Sequence, residues 1–182
     1  EGKLAVAAAV AVNGDKSTST AELPNGINIT AGGALTVESV NATDGTVTAN
    51  GSASGAAVGI AAAAAVNAIS ETNVASLGDA AGNTAIYTAN GINVTALKAS
   101  GADPAHVDSF DATATSGAGG SKVGIAGSLA LNLVTDTTTA EVFGGSVVNA
   151  GTGDSTLSAD EEMAATASAK PAGDTTGGKL GI

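Results

Sequence analysis

The sequence predicts an all-β fold, a repeat β-solenoid of the parallel β-helix kind. Three observations predict it: a segment that recurs along the chain, large apolar residues at every second position, and a scarcity of aromatic side chains. Of the 182 residues 43% are hydrophobic, yet the only aromatic residues are one Tyr and two Phe. A chain of this length suits one domain or a short array of repeats. Its core has to be thin, so we expect backbone layers that lie close together.

The recurring segment is an apolar residue, a small residue and a second apolar residue. It reads LAV, VGI, VGI and LGI, beginning at Leu4, Val58, Val123 and Leu180. Length differences are confined to the connections, as in structural repeats joined by surface loops. The repeats therefore cover approximately 4–57, 58–122 and 123–179 in a single array. Residues 180–182 open a further repeat, and we expect the chain to be a window on a longer array.

Each repeat begins with a predicted strand. In the third repeat the large apolar residues share one parity and the residues between them are small, a period of two that indicates a strand. Ala61–Ala65 alone favours a helix, but the third repeat has Gly127-Ser128 at the same phase. We expect the large apolar face to form the core, and the small-residue face to lie against another layer or subunit.

The number of coils in each repeat stays open at this point. A repeat of more than 50 residues can form one wide coil or two coils of about 27 residues. Turn signals such as Asn13-Gly14-Asp15 also allow a hairpin over residues 13–21. The alternative fold is therefore a tandem series of small β-sandwiches built from hairpins.

Charge and composition exclude several classes of function. Seventeen acidic residues face six Lys and no Arg, for a net charge of -11. This charge repels phosphate, so neither nucleic acid nor an anionic lipid surface is an expected partner. The absence of Cys excludes disulfides and thiolate sites. The longest apolar stretch, Ala56 to Ile69, is too short to span a membrane as a helix, so no membrane insertion is expected.

The run VGIAGSLALNLVTDTTTAEV at 123–142 resembles the repeat regions of large secreted bacterial filamentous adhesins, of the filamentous-haemagglutinin-like and leukotoxin-like kind. The resemblance covers all three repeats. It implies an extracellular, cell-surface structural protein: a rod or filament-forming segment of a fibre or adhesin shaft. Its partners would be copies of itself or neighbouring repeats, with any surface or glycan contact outside this segment.

Two sets of polar residues recur in phase. The first set is interpreted as an Asn column that hydrogen-bonds along the stack, or as turn residues; it consists of Asn13, Asn67 and Asn132. The second set suits an exposed strand face; it consists of Thr18, Thr72 and Thr137. An alternative function for the second set is an ice-binding solenoid with a flat Thr/Ala/Gly face.

The segment from residue 103 to 111 is the other candidate site. Its carboxylates make Asp103, Asp108 and Asp111 weak Ca²⁺ candidates. It is also the place for the groove of a carbohydrate-binding or carbohydrate-degrading solenoid, a further alternative function. A Ser-His-Asp set would have to use His106, the only His. We therefore predict no catalytic residue, no enzyme and no cofactor other than Ca²⁺.

A covalent link between strands is a last alternative. A Lys–Asn isopeptide bond could use Lys3 and Lys122, but the middle repeat has Ala57 at that position.

Overall fold

The computed structural model describes residues 2–82, 84–98, 106–172 and 180–181. These residues form only β-strands, turns and connections, and none of them forms a helix that is long and apolar enough to cross a membrane. The strands in chain order are β1 (Gly2–Leu23), β2 (Asn28–Thr30), β3 (Leu35–Asn41), β4 (Gly45–Leu77), β5 (Ala85–Thr88), β6 (Ile92–Lys98), β7 (Asp108–Val142), β8 (Ser146–Asn149), β9 (Ser155–Ala159), β10 (Met163–Pro171) and β11 (Leu180–Gly181).

The strands pair in parallel into three sheets. The first sheet has the order β1-β4-β7-β10, with β11 also on β7, the second is β2-β5-β8 and the third is β3-β6-β9. Each turn of the chain thus adds one strand to each sheet. This is the topology of a parallel β-solenoid, and the predicted fold class is confirmed.

The register places the sequence repeats directly on one another. Leu4 pairs with Val58, Val58 pairs with Val123, and Leu180 pairs with Val123 across the ladder of β11 and β7. One repeat is therefore one wide coil. The alternative of two narrower coils per repeat is therefore wrong. The tandem sandwiches are also wrong, because residues 13–21 lie within the continuous strand β1 and form no hairpin.

Strand β4 runs through two layers of the coil. Residues 45–53 form the return layer and residues 58–77 the outgoing layer, with a register shift and the positive φ of Gly55 (79°) between them. The layers lie so close that a Cβ on Gly51 would come within 2.3 Å of the Ala62 carbonyl oxygen. Only very small side chains fit between such layers.

The core accordingly has a narrow end and a wide end. At the narrow end the layers are separated mainly by Ala, from Ala49, Ala63, Ala65, Ala112 and Ala114. At the wide end the second and third sheets open the coil and larger residues fill it, among them Val37, Leu77, Tyr87, Ile92 and Val94.

The expectation about which face is buried is wrong. The small residues point inward, and the large apolar residues of the same strands point outward; Val10, for example, is 74% exposed. The close approach of the two layers explains this, because a Leu or Val pointing inward would meet the opposite backbone. We call the exposed set the outer apolar face: Leu4, Val6, Val10, Val12, Ile60, Ile125, Leu129, Leu131 and Leu133.

Candidate functional site

The inner face carries the Asn residues that recur in the sequence. Asn13 pairs with Asn67 and Asn67 with Asn132 in the ladders of the first sheet. The Asn67 amide donates to the Asn132 Oδ1 atom at 3.1 Å and to the carbonyl oxygens of Gly45 and Asp111, both at 3.0 Å. These side chains therefore link neighbouring coils and also join the outgoing layer to the return layer.

Further along the same inner face lies a buried cluster of charged residues. The Lys98 Nζ atom is 2.6 Å from Asp108 Oδ2, 2.7 Å from Glu71 Oε1 and 2.9 Å from Asp136 Oδ2. None of the four side chains is more than 1% exposed. We call these four residues the lysine–carboxylate cluster.

The cluster is assembled by the stacking of the second and third coils. Glu71 and Asp136 are partners in the ladder of β4 and β7, so their carboxylates lie one above the other. Lys98 ends β6, and Asp108 begins β7. The end of β6 and the beginning of β7 thus lie at the same point of the core.

The first coil has a neutral pair at the corresponding position. Ser17 is the ladder partner of Glu71, and Asn41 is the ladder partner of Lys98. The Ser17 hydroxyl donates to Asn41 Oδ1 at 2.8 Å. A polar pair therefore recurs at this place in the first and second coils, and it is charged in the second.

The cluster has three acids and one base, and the pKa values of Glu71 and Lys98 are shifted. Burial is the main cause that raises the pKa of Glu71 to about 7; Lys98 opposes this change, and the nearby Asp108 adds to it. Burial alone would lower the pKa of Lys98, but its contacts with Asp108, Glu71 and Asp136 raise it above its usual range. One lysine therefore faces three acids, of which Glu71 is close to the midpoint of its titration at neutral pH.

Asp108 connects this cluster to the surface. Its Oδ1 atom accepts a hydrogen bond from the Thr43 backbone N–H at 2.8 Å and lies 3.5 Å from His106 Nε2. His106 is partly exposed and also lies 3.4 Å from Asp44 Oδ1. Asp108 thus contacts the Lys98 amine through Oδ2 and the Thr43 backbone N–H through Oδ1.

The three carboxylates are also spaced as metal ligands. One oxygen from each of Glu71, Asp108 and Asp136 lies within 4.8 Å of the others. Carboxylate oxygens are the ligands that Ca²⁺ and Mg²⁺ prefer. The Lys98 Nζ atom, however, lies within 2.9 Å of all three carboxylates, where such an ion would bind. The cation of this site is the lysine ammonium.

The Ca²⁺ candidates from the sequence do not come together. Asp108 points inward to Lys98, whereas Asp111 lies an odd number of residues further along the same strand and so points to the opposite face. Asp103 lies outside the described residues. Phe110, the aromatic residue of the same segment, is fully buried.

The Thr residues from the sequence occupy one column of the outward face. Thr18 pairs with Thr72, and Thr72 with Thr137. Thr18 and Thr137 are exposed, and Thr72 is partly exposed between them. They continue the surface formed by the outer apolar face toward the wide end of the coil.

Sequence reasoning missed the lysine–carboxylate cluster apart from Asp108. It considered Lys3 and Lys122 for a covalent link, and the structure leaves both exposed. The signal in the sequence is parity: Glu71 follows Asn67, and Asp136 follows Asn132, each by an even number of residues. Once the small residues are placed inside, that parity puts both acids in the core.

No family model matches the sequence, and neither a curated protein nor a solved structure matches it.

Proposed function

We propose that this chain is a segment of an extracellular structural rod or filament of the adhesin-shaft kind. The observation that carries the proposal is the register of the first sheet, in which the same repeat positions stack over three coils and β11 begins a fourth row. Stacking of this kind adds length without changing the cross-section. A rod is the natural product of such a sequence.

The interior suits a load-bearing element. Parallel ladders run through the long strands, and the layers between them are held by Ala packing and by the Asn67 and Asn132 amides. The buried lysine–carboxylate cluster is closed to substrate, since its side chains are at most 1% exposed. The net charge of -11 keeps separate rods apart in solution except where a surface lacks charge.

One such surface is the outer apolar face, and its proposed occupant is a second copy of this chain. Soluble monomers seldom expose apolar patches of more than a few hundred Å². The outward positions of the first sheet at residues 4–14, 58–68 and 123–133 include no charged residue. Because the rest of the chain is acidic, two rods repel one another in most orientations, but not when these faces meet. Two flat sheets that meet in this way pack as in a β-sandwich.

A three-residue variant tests lateral pairing. Leu129→Thr, Leu131→Thr and Leu133→Thr together keep the β-propensity of the strand and remove its exposed apolar side chains. The matched control is Thr135→Ser, Thr137→Ser and Thr139→Ser on the same face of the same strand. Sedimentation velocity over a concentration series measures association, and electron microscopy with and without EDTA shows filaments and any Ca²⁺ dependence.

We expect the wild-type chain and the Ser control to associate with increasing concentration, and the Thr variant to remain monomeric. Filaments whose width is twice that of one coil support pairing of two faces. Monodisperse short rods of the wild-type chain at every concentration would contradict self-assembly. They would leave a module that functions only within a longer polypeptide.

An ice-binding surface is the second candidate function. The observation in its favour is the column of Thr18, Thr72 and Thr137 on the open face of a regular sheet. Thermal hysteresis measurements on the wild-type chain test it, with Thr137→Leu as the disrupting change. Activity that survives this substitution, or no activity at all, would exclude the Thr column. The carbohydrate-groove alternative has less support, since Asp108 and Phe110 are buried.

A further inference from the structure

We propose that Lys98 and Asp108 are joined by an intramolecular isopeptide bond, an amide between Lys98 Nζ and Asp108 Cγ. The two side chains are fully buried, and Nζ is 2.6 Å from Oδ2. The inference is independent of any filament, because it concerns the inside of one coil. It makes the lysine–carboxylate cluster a site of covalent modification.

Burial is the first reason to expect an amide rather than an ion pair. One amine is surrounded by three carboxyl groups that have almost no contact with water. Buried ions are stable only when their remaining polar atoms are also satisfied. Among the described residues, the Glu71 Oε2 and Asp136 Oδ1 atoms have no hydrogen-bond partner. Amide formation replaces both charges by a neutral group and releases water from the core.

The surroundings of Asp108 identify it as the acceptor. Of the three carboxylates it lies closest to Nζ. Its other oxygen, Oδ1, accepts the Thr43 N–H at 2.8 Å and has His106 Nε2 at 3.5 Å. The Thr43 N–H in this place stabilises the negative charge that develops on Oδ1 when an amine adds to the carbon. Oδ2 is left to depart.

The two remaining acids supply the proton transfers. Asp136, whose Oδ2 is 2.9 Å from Nζ, accepts a proton from the ammonium and frees the lone pair that attacks Cγ. Glu71 donates a proton to Oδ2, and its raised pKa keeps that proton available near neutral pH.

The C–Oδ2 bond breaks as the C–N bond remains, and Oδ2 leaves as water after taking a second proton from the nitrogen by way of the acids. The ammonium loses two hydrogens and the carboxylate one oxygen, so atoms and charge balance. No oxidant or cofactor is needed.

The bond would join the end of β6 to the beginning of β7. These strands belong to the third and first sheets, so the amide would close the coil where the wide end opens. Such a link would resist opening of the wide end independently of the hydrophobic packing there.

The intact mass of the denatured full chain tests the bond directly. We expect the wild-type chain to be lighter than its sequence by one water molecule. Trypsin does not cleave after an acylated lysine, so the crosslinked chain should lack the cut after Lys98 and yield a single peptide from Ser17 to Lys122. Fragmentation of that peptide should place the link at Asp108.

Two variants separate the bond from other causes. Lys98→Arg keeps the positive charge but cannot form the amide, so its mass should equal that of its sequence. This variant also controls for succinimide formation at Asp44-Gly45, which removes one water whether or not residue 98 is lysine. Glu71→Gln keeps the shape of the side chain but has no acidic proton to donate, so we expect the crosslink to be lost. The circular dichroism spectrum of this variant should remain that of a β protein.

Four results would overturn parts or all of the proposal. A wild-type chain with the full mass of its sequence would show that the cluster is an ion pair. A water loss that persists in Lys98→Arg would assign it to the succinimide. A link from Lys98 to Glu71 or Asp136 would refute Asp108 as acceptor, and complete crosslinking in Glu71→Gln would refute the role of Glu71.

Discussion

The side-chain amide of Asn67 donates a hydrogen bond to the side chain of Asn132 in the next coil, at 3.1 Å. The same amide reaches two backbone carbonyls of the return layer, of Gly45 and Asp111. A single side chain thus forms hydrogen bonds along the stack, to the next coil, and also across the coil, to the return layer. It can do so because the two layers lie so close together at this point.

Substitution of Asn67 by Ala should destabilise the chain by about 1–3 kcal/mol, because buried carbonyls would lose their donor. Asn67 is fully buried. The matched control is Asn50→Ala, at an exposed position of the return layer of β4, for which we expect a change within about 0.5 kcal/mol. Urea unfolding followed by circular dichroism measures both. Equal effects of the two substitutions would show that the Asn67 amide has no special role.

The narrow gap between layers also predicts which glycines can be replaced. A Cβ at Gly124 would come 2.5 Å from the Ala118 carbonyl oxygen, whereas a Cβ at Gly127 on the same strand meets nothing within 4 Å. We expect Gly124→Ala to destabilise the chain by about 1–3 kcal/mol through overpacking. Gly127→Ala should be neutral or slightly stabilising, since Ala restricts the unfolded chain more than Gly does. Thermal unfolding of the two variants checks this, and a neutral Gly124→Ala would mean that the layers can separate freely.

We expect Tyr87 to contribute to the stability of the chain from the wide end of the coil. Its hydroxyl donates to the carbonyls of Leu23 and Pro24 in the preceding coil, both at 3.0 Å, and the side chain is fully buried. Tyr87→Phe should cost about 0.5–1.5 kcal/mol, the usual net value of one hydrogen bond. Tyr87→Leu should cost more, because it also leaves a cavity. Chemical unfolding distinguishes them, and a Phe variant as stable as the wild type would show that water can replace the ring hydroxyl as partner.

The repeat, the strand period and the solenoid class could all be predicted from the sequence. Gap-free alignment of the segments at Leu4, Val58 and Val123 predicts the register that the ladders have. The direction of the faces could not be predicted by hydrophobicity alone. Leu129 and its neighbours are more apolar than the Ala residues beside them, yet the gap between layers is filled mainly by Ala. Steric fit outweighs transfer energy here.

The lysine–carboxylate cluster shows the same limit for the site. Lys98 and Asp108 are brought together by two consecutive strands, and Glu71 and Asp136 by the stacking of two coils. Only the three-dimensional path of the coil joins these positions. If the large apolar residues are assigned to the core, the sequence gives no reason to bury Glu71, which lies on the same strand face as Asn67.

The raised pKa of Glu71 predicts how the free energy of unfolding depends on pH. Burial, with Asp108 beside it, raises its pKa from 4.5 to about 7 in the folded chain, so the folded chain retains a proton that the unfolded chain releases. The contribution of Glu71 is fully present below pH 4.5 and is lost as the pH rises through about 7. Unfolding free energies of the wild type and of Glu71→Gln should therefore converge or cross over this interval.

The pKa of about 7 applies to the chain in which Lys98 and Asp108 are not linked; once the amide forms, burial still raises the pKa of Glu71, but the contributions of Lys98 and Asp108 are lost. A missing crosslink in Glu71→Gln displaces the two stability curves by a constant amount, whereas ionisation of Glu71 changes their separation with pH. The control is Glu38→Gln, at an exposed position of β3, whose curve should run parallel to that of the wild type between pH 4.5 and 7. Urea unfolding at half-unit intervals of pH measures all three curves. A constant separation between the wild type and Glu71→Gln would show that burial does not raise the pKa of Glu71 in the folded chain.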